Sequence, residues 1–129
     1  MTENSSNIFE INDPIGNTVK LSNDTLQFHI AGESGDHPDR NFLVQGNNLN
    51  KISSIIQNPT MILKDKNFDN KINHFGTTMF ESQNTIKNVK IVSELGEDGE
   101  YQIATIIPTK SLNEKFEGRI LYDLYSNKE

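Results

Sequence analysis

The stretch IKNVKIVSELGEDGEYQIATIIP, residues 86–108, decides how this chain is read. Its two halves, 86–94 and 101–107, are dense in β-branched residues, the composition that packs best on a pleated surface. Between them Gly96-Glu97-Asp98-Gly99 supplies a tight polar turn, so the two strands are expected to pair antiparallel. Pro108 closes the second, since it offers no N–H to a ladder.

Working outward, residues 71–80 alternate loosely, with Ile72, His74, Gly76, Thr78 and Phe80 on one side. Residues 60–64 form a short apolar run, and 119–125 supply a final strand. Upstream, Leu49, Ile52, Ile55 and Ile56 recur at helical spacing behind a cap at Asn47 or Asn48, and Asn58-Pro59 ends that helix. An earlier helix starts at Ser22 or Asn23, runs through Leu26, His29 and Ile30 on one face, and stops at Gly32. Pro38 suits the first turn of a further short helix. Before all of these, residues 8–12 and 18–21 alternate around Asp13-Pro14-Ile15-Gly16-Asn17 and read as a hairpin. The expected fold is α+β: an N-terminal hairpin and two or three helices packed on one face of a four-stranded antiparallel sheet. Residues 1–129 are expected to form one domain, frayed at 1–7 and 126–129.

Composition removes several classes of function. Without cysteine there is no disulfide framework, no thiolate nucleophile and no Cys-based zinc site. No apolar run approaches the roughly 20 residues of a membrane span, and MTENSSN has the features of no signal peptide, so no membrane association is expected. GxxxxGK[ST], GxGxxG, GxSxG and HExxH are all missing, and no metal or other cofactor is expected. The net charge of −6 is unevenly spread. Residues 1–39 carry −6 and 91–129 carry −4, while 40–90 carry +4, a basic middle suited to phosphate between acidic flanks.

The residues left to carry chemistry lie in LQFHIAGESGDHPDR, residues 26–40. His29 and His37 can hold one proton donor and one acceptor at the same pH. Transesterification of RNA needs a base at the 2′-hydroxyl, an acid at the leaving 5′-oxygen and donors to the charged phosphorane. His29 and His37 fit the first two roles, in an order the sequence leaves open. Arg40 fits a phosphate clamp, and Thr105 can offer its hydroxyl from mid-strand. Each has a plainer reading: Arg40 as an ion pair with Asp36 or Asp39, Thr105 as a β-former, Lys64 as a solvated strand end rather than a phosphate contact. His74, beside Phe75 in a strand, is read as structural.

VKLS, the helix bearing FHI, and the DHPDR loop together resemble the start of phage- and toxin-associated nucleases of the barnase/EndoU/colicin/RelE-like superfamily. The helix ending in Asn58-Pro59, YQIATIIPTK and the closing GRILYD follow in the same order, so the resemblance runs from about Val19 to Asp123. It implies catalytic positions at His29, His37 and Thr105, with Arg40 and Thr109 in support at the substrate; Lys64 is added as a substrate contact from its place at a strand end alone. The pattern departs at Asp36, which stands where the family carries an arginine before the second histidine. The resemblance further implies a toxin domain cutting RNA, tRNA in particular, in the cytoplasm of a target cell. Such domains are delivered at the C-terminus of larger secreted or phage proteins, as in contact-dependent inhibition, and are neutralised by an immunity protein or antitoxin. The free domain is expected to be a monomer. A non-catalytic acidic binding protein, itself an immunity protein or antitoxin, is the alternative.

Overall fold

The computed structural model describes residues 7–25, 43, 46–81, 85–109 and 119–124. Their strands are β1 (Asn7–Asn12), β2 (Thr18–Ser22), β3 (Met61–Lys64), β4 (Lys71–Met79), β5 (Ile86–Leu95), β6 (Tyr101–Thr109) and β7 (Ile120–Asp123). The helical pieces are a single turn, α1 (Asn23–Thr25), and α2 (Asn48–Gln57). All seven strands join one sheet in the order β1-β2-β6-β5-β4-β3-β7.

This corrects the expected architecture of a four-stranded antiparallel sheet under two or three helices. The sheet has seven strands and is mixed, and α2 is the one helix longer than a turn among the described residues. The individual strands fall close to where periodicity places them. What periodicity cannot supply is partnership at the sheet edges. The N-terminal hairpin is part of the sheet because β2 runs parallel to β6, with Val19 opposite Tyr101 and Lys20 opposite Gln102. Lys20 reinforces that short seam: its ammonium meets Asp98 at 2.9 Å and Glu100 at 3.0 Å, across from β2. Those two hydrogen bonds, Asp98 first, push Lys20 up to about 12. At the far edge β7 pairs antiparallel with β3. The expected first helix does begin as read, because the Ser22 hydroxyl accepts the Thr25 N–H at 3.1 Å; the rest of it lies outside the described residues.

Strand register separates the two faces of the sheet. His74, Ile91 and Ile106 lie opposite one another on β4, β5 and β6, and Gly76, Val89 and Pro108 form the next row on the same side. That side receives α2. Ile52, Ile55 and Ile56 enter a core with Val19, Leu21, Leu43, Phe80, Val89, Ile91, Ile103 and Ile106. The approach is close enough that a Cβ on Gly76 would sit 2.7 Å from Ile55 Cγ2. Asn48 holds the start of the helix to the end of β4: its buried side chain accepts the Glu81 N–H at 2.7 Å and donates to the Glu81 carbonyl at 3.4 Å.

The sheet does not lie flat. β1 and β4 are four strand spacings apart, about 19 Å in a flat sheet. Yet Asp13, just past the end of β1, touches His74 of β4 with Oδ2 and Nε2 2.9 Å apart. The sheet therefore curls around α2, which packs against both β4 and β1. Both side chains of the pair are fully buried. Burial pushes the Asp13 carboxyl up, but the bonds from His74 and Asn17 outweigh it and hold the carboxyl below its usual value.

Two outcomes follow from this packing. An Asp whose folded-state pKa is lowered adds stability above its unfolded value of 3.8, and that stability is lost as pH falls through the lower value. Asp13→Asn should therefore cost about 3 kcal/mol in urea unfolding at pH 7, with the gap to the parent protein closing below pH 4; a pH-independent gap would refute the ionised Asp13 carboxylate. Gly76→Ala should lower stability by about 1–3 kcal/mol through overpacking against Ile55, and an unchanged thermal midpoint would show that α2 stands further off.

Candidate functional site

The register that sends His74 and Gly76 toward α2 sends their neighbours the other way. On the opposite face, Asn73, Val92 and Thr105 form one cross-strand row, and Phe75, Lys90 and Ile107 form the next. Thr77 and Asn88 begin a third, in which Asn88 pairs with Thr109. This face is mixed: Asn73 and Phe75 are buried, Lys90, Val92, Thr105 and Ile107 are half-buried, and Thr77 is exposed. A bulge between Val92 and Ser93 brings Thr105 opposite Val92 while Ile103 faces Ser93, so one extra residue on β6, Ala104, lies between two inward-facing isoleucines. The bulge lets Ile103 and Ile106 both reach the core while Thr105 points away from it.

The turn after β3 borders this platform. Asp65 organises it, accepting the N–H groups of Asn67 and Phe68 at 3.0 and 3.1 Å on Oδ2 and the Asn73 side-chain amide at 3.2 Å on Oδ1. Burial raises its pKa, but these donors, with the charge of Lys90, prevail and leave the carboxyl below its usual value. Lys71 lies over the Phe68 ring, 4.4 Å from its centre. Beside the turn a cleft of about 510 Å³ is lined by Lys64, Asp65, Lys66, Asp69 and Arg119. Lys64, Lys66 and Arg119 thus share one cleft with Asp65 and Asp69 in a chain whose net charge is −6.

Of the residues read from the sequence, Thr105 stands mid-β6 on the face away from α2, and Thr109 ends the same strand. Lys64 ends β3, three strands from β6, so the fold does not set it beside Thr105. His29, His37 and Arg40 lie outside the described residues. His74 is sealed at 0 % exposure, a position from which it reaches no substrate. Its Nδ1, the Ser93 hydroxyl and Asn73 Oδ1 are buried without a hydrogen-bond partner among the described residues. Sequence reasoning missed Lys90 and Arg119; their signal is strand register and edge pairing, which become visible only once β5 and β7 are placed. Among the described residues no three His, Asp or Glu side chains gather as a metal site, and no helix is long and apolar enough to cross a membrane.

Comparison with protein-family models, with curated proteins and with solved structures finds no match to this chain.

If Asp65 holds the turn as described, Asp65→Ala should speed hydrogen exchange at the Asn67 and Phe68 amides about tenfold, the loss of roughly one hydrogen bond each, while the Ile62 amide keeps its protection. Equal rates in both proteins would remove Asp65 from that role.

Proposed function

We propose that this chain is a ribonuclease domain of the toxin type, cleaving RNA by attack of a 2′-hydroxyl on the adjacent phosphate. The observation that carries the reading is the position of Thr105: a hydroxyl on the half-buried platform opposite α2, one diagonal step from the ammonium-bearing Lys90. The order of the chain supports it, with a helix ending at Asn58-Pro59 followed by a meander of β3, β4, β5 and β6. The sequence resemblance around His29 and His37 supplies the acid and base.

In the proposed step one histidine takes the 2′-hydroxyl proton as the 2′-oxygen bonds to phosphorus. The other protonates the 5′-oxygen as its bond to phosphorus breaks. The products are a 2′,3′-cyclic phosphate and a free 5′-hydroxyl, so charges and protons balance. Thr105 and Arg40 donate to the phosphorane oxygens, whose charge grows in the transition state. Lys90 adds positive potential on the same face. Proton transfer by histidine needs no metal in this scheme. tRNA in a target-cell cytoplasm is the proposed substrate, and an immunity protein or antitoxin is the proposed partner.

Incubation of the protein with total tRNA in EDTA tests the reading. Fragments ending in 2′,3′-cyclic phosphate are expected, with activity lowered at least about 100-fold in His29→Ala and His37→Ala. Thr105→Val, which keeps the β-branched shape, should lower kcat about 10- to 100-fold. Intact tRNA at high protein concentration, or cleavage indifferent to both histidines, would leave a binding protein in place of the enzyme.

A further inference from the structure

β4 outruns the strand beside it. β3 begins at Met61, opposite Phe75, whereas β5 accompanies β4 as far as Met79, which faces Ile86. On the β3 side, Thr77, Thr78 and Met79 therefore have no strand partner among the described residues. Alternate residues of an antiparallel strand turn their backbone groups to the same neighbour. The odd-numbered residues of β4 turn theirs toward β3: the Lys71 carbonyl accepts the Asp65 N–H at 3.0 Å, and the Phe75 carbonyl accepts the Thr60 N–H at 2.8 Å. In the same phase Thr77, an exposed residue, presents both its N–H and its C=O at the open edge. The Met79 carbonyl follows, and there Lys51 of α2 donates to it at 2.7 Å. Neither a proline nor a bulge blunts this edge.

The edge opens into a groove of about 460 Å³ whose far wall is α2. Lys51, Ser54, Asn58, Thr60 and Thr78 line it and no carboxylate does, in a chain of net charge −6. The Lys51 ammonium has donors to spare beyond the one it gives Met79. On the opposite face of the sheet Met79 and Ile86 lie side by side, 47 % and 62 % exposed.

We infer that this edge docks an extended, acidic segment of a partner protein, which adds as an antiparallel strand beside Thr77–Met79. The inference stands apart from the ribonuclease reading. One partner residue exchanges a pair of N–H···O bonds with Thr77. Its neighbour lies opposite Thr78 on the α2 side, where Lys51 selects an aspartate or glutamate. The residues on either side of that acid point to the other face, where apolar side chains cover Met79. Backbone pairing supplies the affinity, and the alternation of acidic and apolar residues supplies the selection.

The probe is the blocked peptide acetyl-Thr-Val-Glu-Val-amide, titrated into the isotope-labelled protein to about 10 mM, high enough to register a contact of only three residues. Amide shifts are expected at Thr77 and Ser54, with slowed hydrogen exchange at the Thr77 N–H. Methylating the backbone nitrogen of the last valine, which faces Thr77, should abolish the shifts by removing that hydrogen bond. A peptide with lysine in place of glutamate should bind about 3-fold more weakly, and Lys51→Ala should erase the difference. The inference is overturned if the first peptide shifts neither amide, if the N-methylated peptide binds as well, or if the lysine peptide binds as tightly. A concentration-dependent dimer in sedimentation that protects the Thr77 amide would also overturn it, by giving the edge to a second copy of this chain.

Discussion

Asp13 receives four hydrogen bonds, and the shape of the sheet depends on them. Its Oδ1 accepts the Ile15 and Asn17 N–H groups at 3.1 and 2.8 Å, which shapes the turn between β1 and β2. Its Oδ2 accepts the Asn17 side-chain amide at 3.0 Å and His74 Nε2 at 2.9 Å. Because the carboxyl is held below its usual value it is ionised and can only accept, so His74 must present Nε2–H to it. A buried carboxylate left without such donors would be costly, which is why the turn and His74 have to arrive together. Gly16 completes the turn with a φ of 91°, a conformation that other residues adopt only with strain.

Closing β1 onto β4 has a consequence for the other side of the molecule. One face of the sheet wraps α2 and fills with isoleucine, valine and leucine. The opposite face carries Lys90, Thr77, Asn88 and Thr105. A sheet curled around one helix thus gives its two faces different compositions, one apolar and one mixed. The uneven charge of the sequence acquires a spatial meaning in the same way. Lys64 and Lys66 come from the basic middle segment, and Arg119 joins them in one cleft from an otherwise acidic tail because β7 pairs with β3.

The strands were legible from the sequence because alternation and β-branching are local properties, and the helix over Ile52, Ile55 and Ile56 because its apolar spacing is local too. The assembly was not. Nothing near Val19 announces a parallel partner at Tyr101, a pairing of only two residues secured by Lys20 reaching Asp98 and Glu100. Asp13 reads as an ordinary turn aspartate until His74, 61 residues away, is seen to meet it. His74 was legible as structural from its apolar strand, though its partner was not. For the candidate site, Thr105 could be picked out from its strand, whereas its neighbour Lys90 needed the β5–β6 register, which a bulge shifts by one residue.

The most direct test of this division of faces is methyl NMR with a non-cleavable 2′-O-methyl RNA oligonucleotide added to the isotope-labelled protein. The account predicts shifts at the methyl groups of Thr105, Ile107 and Val92, with those of Ile52, Ile55 and Ile56 unmoved. Shifts confined to the α2 side, or none at saturating RNA, would contradict it.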